Sequence, residues 1–182
     1  MTPVMDRPRC SVFIAASLDG FIARRDGGID WLSIVETPGE DYGYARFFAA
    51  VDALILGRGT YDTVRGFAAW PYGDKRCVVL AHDPPEPRHG ETFHAGPPAP
   101  LLERLHADGV RRVYVDGGAV IRQFLGEGLI DDITLSIIPV VLGDGIRLFD
   151  GGGREQRLRL QASQAFASGL VQLTYEVTGA PR

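Results

Sequence analysis

The chain has only two cysteines, two methionines and two tryptophans in its 182 residues. Cys10 and Cys77 are too few to staple a small secreted scaffold, and no Cys/His spacing suits a structural zinc. The expectation is two buried thiols in a reducing, cytoplasmic compartment, and no metal. Long apolar runs are missing too. The longest are strand-length, far below the ~20 residues of a membrane-spanning helix. The opening MTPVMDRPRC carries no signal-peptide stretch. Positive charge is in deficit, with 19 Lys and Arg against 23 Asp and Glu and a net charge of −4. That balance argues against a nucleic-acid or anionic-membrane partner, because both leave a basic footprint. Phosphate-binding P-loops, zinc-protease helices and nucleophile elbows are absent as well, and Gly57-x-Gly59 is followed by Asp62 where a dinucleotide fingerprint needs a third glycine.

What is present is the makeup of one globular domain over residues 1–182, with 45% hydrophobic and 23% charged residues. Strand-like and helix-like segments alternate, which favours an α/β sheet. Residues 10–16 form an apolar run that turns at Ser17-Leu18-Asp19-Gly20 and resumes in Phe21-Ile22-Ala23. Residues 24–40 read as a long loop anchored by Trp31 and Leu32, of a length that is usually functional or carries a short helix. A helix is expected over 41–51, where Tyr44, Phe47, Phe48 and Val51 recur at helical spacing. Further strands are expected over 53–56, 76–80, 92–94, 112–115 and 132–141, with helices over 60–64, 101–107 and 119–125. The tail, 157–164 and 170–177, alternates and reads as an antiparallel hairpin turning near Ser168-Gly169.

Ligands of open α/β sheets sit beyond the carboxyl ends of the strands. Two such ends place glycines where a strand becomes a helix: Gly57-Arg58-Gly59-Thr60-Tyr61 and Asp116-Gly117-Gly118-Ala119. Without Cβ atoms the backbone N–H groups approach a phosphate closely, and the helix N-terminus adds partial positive charge. A pair of such ends suits a pyrophosphate. Arg58 offers a fork-shaped cation for a ribose 2′-phosphate, which points to NADPH over NADH. Taken alone, either glycine pair is also explained as a cap or turn.

These residues resemble a known family. Ala16-Ser17-Leu18-Asp19-Gly20-Phe21-Ile22-Ala23, Asp52-Ala53-Leu54-Ile55-Leu56-Gly57-Arg58-Gly59-Thr60-Tyr61, Val115-Asp116-Gly117-Gly118 and Ile138-Pro139-Val140-Val141-Leu142-Gly143-Asp144-Gly145 occur in the order seen in the dihydrofolate-reductase-like superfamily. Within it, the chain is similar to stand-alone proteins related to the C-terminal reductase domain of bacterial riboflavin biosynthesis. The resemblance implies a mostly parallel, twisted central sheet flanked by helices, with a C-terminal antiparallel hairpin. It also implies that Gly57, Arg58 and Thr60 line the adenosine-phosphate side of NADPH and that Gly117, Gly118, Ala119 and Val120 meet the pyrophosphate. Ala16 would lie against the nicotinamide, Asp19 and Gly20 would shape the loop over it, and Ala81 and His82 would meet the adenine end. The riboflavin-pathway reductases often carry a lysine after the Asp-Gly pair, where this chain has Phe21, which weighs against a phosphoribosyl substrate. No deaminase motif precedes Cys10, so the bifunctional form of the family is not expected.

Hydride transfer also requires a proton source. Asp41 is the candidate acid, sixteen positions before Gly57, although it equally suits a plain helix cap. Trp31 is expected to close over the pocket or pack beneath the loop, and Asp144 to serve the turn or the nicotinamide end. The resulting expectation is an NADPH-dependent reductase of a small heterocyclic or carbonyl substrate, dihydrofolate-like or of the riboflavin-pathway ribosylaminopyrimidine type. The competing reading is a non-catalytic nucleotide-binding or sensing protein. The resemblance further implies a homodimer, with the strand over 132–141 as a candidate for the pairing.

Overall fold

The computed structural model describes residues 6–151 and 153–179. The elements run β1 (Arg9–Ser17), β2 (Phe21–Ala23), a 3-10 helix (Asp30–Val35), α1 (Tyr44–Ala49), β3 (Ala53–Gly57), α2 (Arg58–Arg65), β4 (Arg76–Leu80), β5 (Thr92–His94), α3 (Pro98–Ala107), β6 (Arg112–Asp116), α4 (Gly118–Gly126), β7 (Asp132–Ile138), β8 (Ile146–Arg147), β9 (Arg157–Ala165) and β10 (Val171–Gly179). Eight strands form one sheet in the order β5-β4-β3-β6-β1-β7-β10-β9. The first six are parallel, and β10 and β9 complete the sheet antiparallel. The expected parallel sheet and C-terminal hairpin are both present.

Two apolar layers sandwich the sheet. On one face Leu101, Leu102 and Leu105 of α3 and Val120, Ile121 and Phe124 of α4 pack on Ile55, Val78, Val113 and Val115. On the other, Tyr61 and Val64 of α2 with Phe47 and Phe48 of α1 cover Leu54, Leu56, Val79 and Tyr114. Strand β3 therefore lies between two helical layers, and all five of its residues are buried, as its uninterrupted apolar run requires.

The 24–40 loop carries a short 3-10 helix, which buries Trp31 and Val35. Three sequence expectations are revised. The helix expected over 41–51 starts at Tyr44 because Tyr42 (φ 56°) and Gly43 (φ 82°) are left-handed and break the helical path. The long strand ends at Ile138, since Pro139 has no N–H for the ladder. That strand also lies inside the sheet between β1 and β10 and offers no free edge for a second copy; the free edge on that side of the sheet is β9, beyond β10. Strand β8, too short to be legible in sequence, pairs antiparallel with β2 as a separate small sheet. Among the described residues no helix is long and apolar enough to cross a membrane, and no group of three His, Cys, Asp or Glu side chains is placed to hold a metal.

Candidate active site

The glycine-led ends of β3 and β6 are adjacent because β3 pairs with β6, Leu56 opposite Asp116. A Cβ on Gly117 (φ 107°) would stand 2.7 Å from the Thr60 Oγ1 and 3.4 Å from the Gly57 nitrogen. A Cβ on Gly57 would meet the Val120 side chain at 3.0 Å. Only glycine allows the two helix starts to approach this closely. Neither α2 nor α4 has a side-chain cap on its first N–H groups. Gly57, Thr60, Gly117, Gly118, Ala119 and Val120 thus converge in one cradle at two positive helix ends, where the uncapped first-turn N–H groups could meet a pyrophosphate; the Gly117 N–H is taken by Asp116 (2.9 Å). Gly118 also packs against Ile22 and the Arg147 carbonyl, which brings the β2–β8 sheet to the same place. The Arg147 guanidinium lies over the Phe21 ring at 4.7 Å. This cation has no signature in the sequence, because it arrives on the two-residue strand β8.

The remaining expected cofactor residues flank the cradle. Arg58 grips Asp62 through Nε (2.9 Å) and donates to the Asp83 carbonyl (2.7 Å), so it joins the start of α2 to the end of β4, where Ala81 and exposed His82 lie. Ala16 is buried near the end of β1. Asp19 is a latch. Its carboxylate accepts from the Ser17 hydroxyl (2.6 Å) and from the N–H groups of Leu142 (3.1 Å) and Gly143 (2.7 Å), and these bonds hold its pKa below the usual carboxylate range. Gly20, at φ 89°, makes the turn into β2. Asp144 pairs with Arg25 and accepts from the Gly145 N–H, a turn role.

On the α1 face of the sheet a cavity of about 640 Å³ opens beside β1 and β7. Phe13, Ala15, Leu32, Val35, Ile138 and Leu170 give it an apolar body, and Ser136, Thr37, Glu36, Glu40 and Asp41 add polar groups. Strand β1 links the two regions: Ala15 lines the cavity, and Ala16 follows at the expected nicotinamide position. Asp41 is exposed at the mouth and accepts from the N–H groups of Gly43 and Ala45, both at 2.9 Å. Those bonds hold its pKa down, so it stands ionised while serving the turn before α1. Tyr42 is fixed by the hairpin, its hydroxyl bonded to Val35 and Ser168 and its carbonyl accepting from Gln172. Trp31 packs beneath this wall with Val35, Ile138 and Leu170, and its buried Nε1 has no partner among the described residues. Trp70 stands elsewhere, stacked on His89.

Asp116 escaped the sequence reading as a chemical group, because there it was only the residue before two glycines. It ends β6 on the face shared with Tyr44, Tyr72 and Tyr114, accepts from the Gly117 N–H (2.9 Å), and lies between the cradle and the cavity wall formed by Tyr44. Burial pushes its carboxyl up to about 6, against partial relief from the Gly117 and Tyr114 hydrogen bonds. Asp41 and Asp116 are therefore opposite in character, one a carboxylate at the mouth and the other a carboxyl able to hold a proton near neutrality.

A parallel sheet closed by an antiparallel pair, with glycine-led helices at adjacent strand ends, is a dihydrofolate-reductase-like fold. Dihydrofolate reductase of Enterococcus faecalis complexed with NADP(H) superposes with a TM-score of 0.63 at 14% identity, over 93% of this chain and 96% of that one. The chain belongs to the RibD C-terminal domain family, whose pattern matches residues 8–172. It is 40% identical over 168 residues to the uncharacterized protein YwjB of Bacillus subtilis, covering 90% of this chain and 95% of that protein. A crystal structure from Shewanella sp. PV-4 bearing a riboflavin-biosynthesis name matches with a TM-score of 0.87 and 35% identity, over 93% and 99% of the two chains. The 2,5-diamino-6-ribosylamino-4(3H)-pyrimidinone 5′-phosphate reductase of Methanothermobacter thermautotrophicus is 34% identical over 87 residues, 43% of this chain and 40% of that one.

Proposed function

We propose that this protein is an NADPH-dependent reductase of a small heterocyclic substrate. The observation that carries the reading is the glycine cradle joined through β1 to the apolar cavity, with Asp116 between them. The cradle would hold NADPH, which would supply the hydride. The N–H groups at the starts of α2 and α4 would hold its pyrophosphate, with Arg58 at the start of α2 and Arg122 against Gly118 as the cations beside them. Arg58 selects the 2′-phosphate by exchanging part of its contact with Asp62. The apolar body of the cavity excludes water and aligns a flat ring beside β1. Asp41 accepts a hydrogen bond from the substrate as a fixed carboxylate, and Asp116 holds the proton that the reduction consumes. Two copies pair through the uncovered β9–β10 surface.

Titration with NADPH and with NADH, followed by tryptophan quenching, tests the cofactor assignment. Saturable binding that favours NADPH is expected. NADPH oxidation with aminopyrimidine acceptors then separates an enzyme from a nucleotide sensor, which would bind without turnover. No binding of either nucleotide overturns the proposal.

A further inference from the structure

The charged residues lining the cavity are all acidic. Glu36, Glu40 and Asp41 stand exposed around its mouth, and no Lys, Arg or His is among its lining residues. None of the three forms an ion pair with a basic side chain among the described residues. Arg46, exposed on the outer turn of α1, acts on Asp41 only as the weakest of its influences. Cations are placed elsewhere, with Arg58 opening α2 and the Arg122 guanidinium against Gly118. In the cavity wall Ser136 is 4% exposed. Its Oγ accepts from Gln172 Nε2 (3.1 Å), while its own hydroxyl proton has no acceptor among the described residues. A buried, unspent donor facing an apolar slot under a carboxylate rim is a recognition pattern.

We infer that the cavity takes an unphosphorylated, amino-substituted heterocycle, neutral or cationic, and not a 5′-phosphorylated pyrimidine of the kind named for the Methanothermobacter relative. The inference rests on the reductase reading for the substrate's role. The ring lies on Phe13, Ala15 and Leu32, and a ring carbonyl or nitrogen accepts from the Ser136 hydroxyl. Amino N–H groups donate to the carboxylates at the mouth. A phosphate dianion entering the same slot meets three like charges and no compensating cation, and that juxtaposition repels it.

The test is calorimetric titration of the full chain, saturated with NADPH, with 5-amino-6-ribosylaminouracil, its 5′-phosphate and 2,4-diaminopyrimidine. The ribosyl compound and the diaminopyrimidine are expected to bind, and the 5′-phosphate at least about tenfold more weakly. A Glu36→Gln, Glu40→Gln double variant keeps the carbonyl that accepts from the Tyr42 N–H (2.7 Å to Glu40) and should narrow that gap, as should high salt. The 5′-phosphate binding as tightly as the ribosyl compound, or none of the three binding, overturns the inference. An unchanged gap in a correctly folded double variant overturns its assignment to the carboxylate rim. Reduction of the 5′-phosphate with NADPH oxidation keeps the reductase and removes this substrate class. The expected binding order without any hydride transfer does the reverse.

Discussion

Asp116 and Asp41 show how environment divides the work of two identical side chains. The Asp116 pKa in the folded chain, about 6, lies above its ordinary 3.8. The fold therefore favours its protonated form, and the stability this gives is present in acid and lost as pH rises from about 4 through about 6. An Asp116→Asn variant keeps an acceptor for the Gly117 N–H and removes that cost. It should be more stable than the parent at pH 8 by up to roughly 3 kcal/mol and nearly equal at pH 4, as read from urea unfolding at both pH values. Its turnover should fall by about 10²-fold and lose the pH dependence near 6; an unchanged pH–rate profile would remove Asp116 from the chemistry. For Asp41→Asn the expected change lies in KM more than in kcat, since an ionised, backbone-bonded group orients substrate without giving a proton. Arg58→Ala should abolish the preference for NADPH over NADH while leaving NADH binding intact, measured by the same quenching titration. Sequence reasoning found Arg58 and Asp41 from their places beside turns and strand ends. Asp116 was invisible because its pKa is raised by burial, and the tyrosines around it, Tyr44, Tyr72 and Tyr114, come from three separate segments.

At the scale of elements, the controlling feature is the contact between the starts of α2 and α4. Gly117 has a left-handed φ of 107° and lies against Thr60, so a methyl group there is both strained and too close to its neighbour. Gly117→Ala should cost roughly 1–3 kcal/mol of stability and weaken NADPH binding at least about tenfold, because the two sets of N–H groups no longer converge; thermal melting and quenching titration measure the two losses separately. If stability falls while the NADPH affinity stays unchanged, the cradle is not the pyrophosphate site. Both strand-to-helix glycine turns were legible in sequence, since a positive φ at Gly117 and close approach without a Cβ at both Gly57 and Gly117 leave a local signature. The 3-10 helix was not legible, because Trp31 and Val35 are anchored by Ile138 and Leu170 from distant strands. The early end of the helical path before α1 has the same origin: the Gln172–Tyr42 bond that holds the left-handed turn spans 130 positions.

For the whole molecule, the unfinished surface is at the C-terminal end of the sheet. Strand β9 is exposed along all nine residues. The register places Leu158 beside Val177, Leu160 beside Tyr175, and Val171 beside Ile137 on one face, with Leu158 45%, Leu160 53% and Phe149 52% exposed. An apolar sheet face with a free edge is a pairing surface. Sedimentation of the parent chain should show a dimer and that of Leu160→Glu a monomer with unchanged circular dichroism; a parent chain that stays monomeric at all concentrations would sink the assignment. The charge layout belongs to this scale as well. The cavity mouth carries carboxylates and no basic side chain in its lining, although the composition shows only a net −4.

The sequence alone determined the alternation of strands and helices, the hairpin and the positions of the two glycine turns. Hydrophobic period and backbone sterics are local, and each is written within a dozen residues. Only the tertiary structure decided that β3, β6 and β1 are neighbours, and so which strand ends meet. That order set the cradle beside the cavity, placed the 132–138 strand inside the sheet, and buried Asp116 deeply enough to hold a proton. Burial and charge proximity depend on residues far apart in the chain, and no local pattern records them.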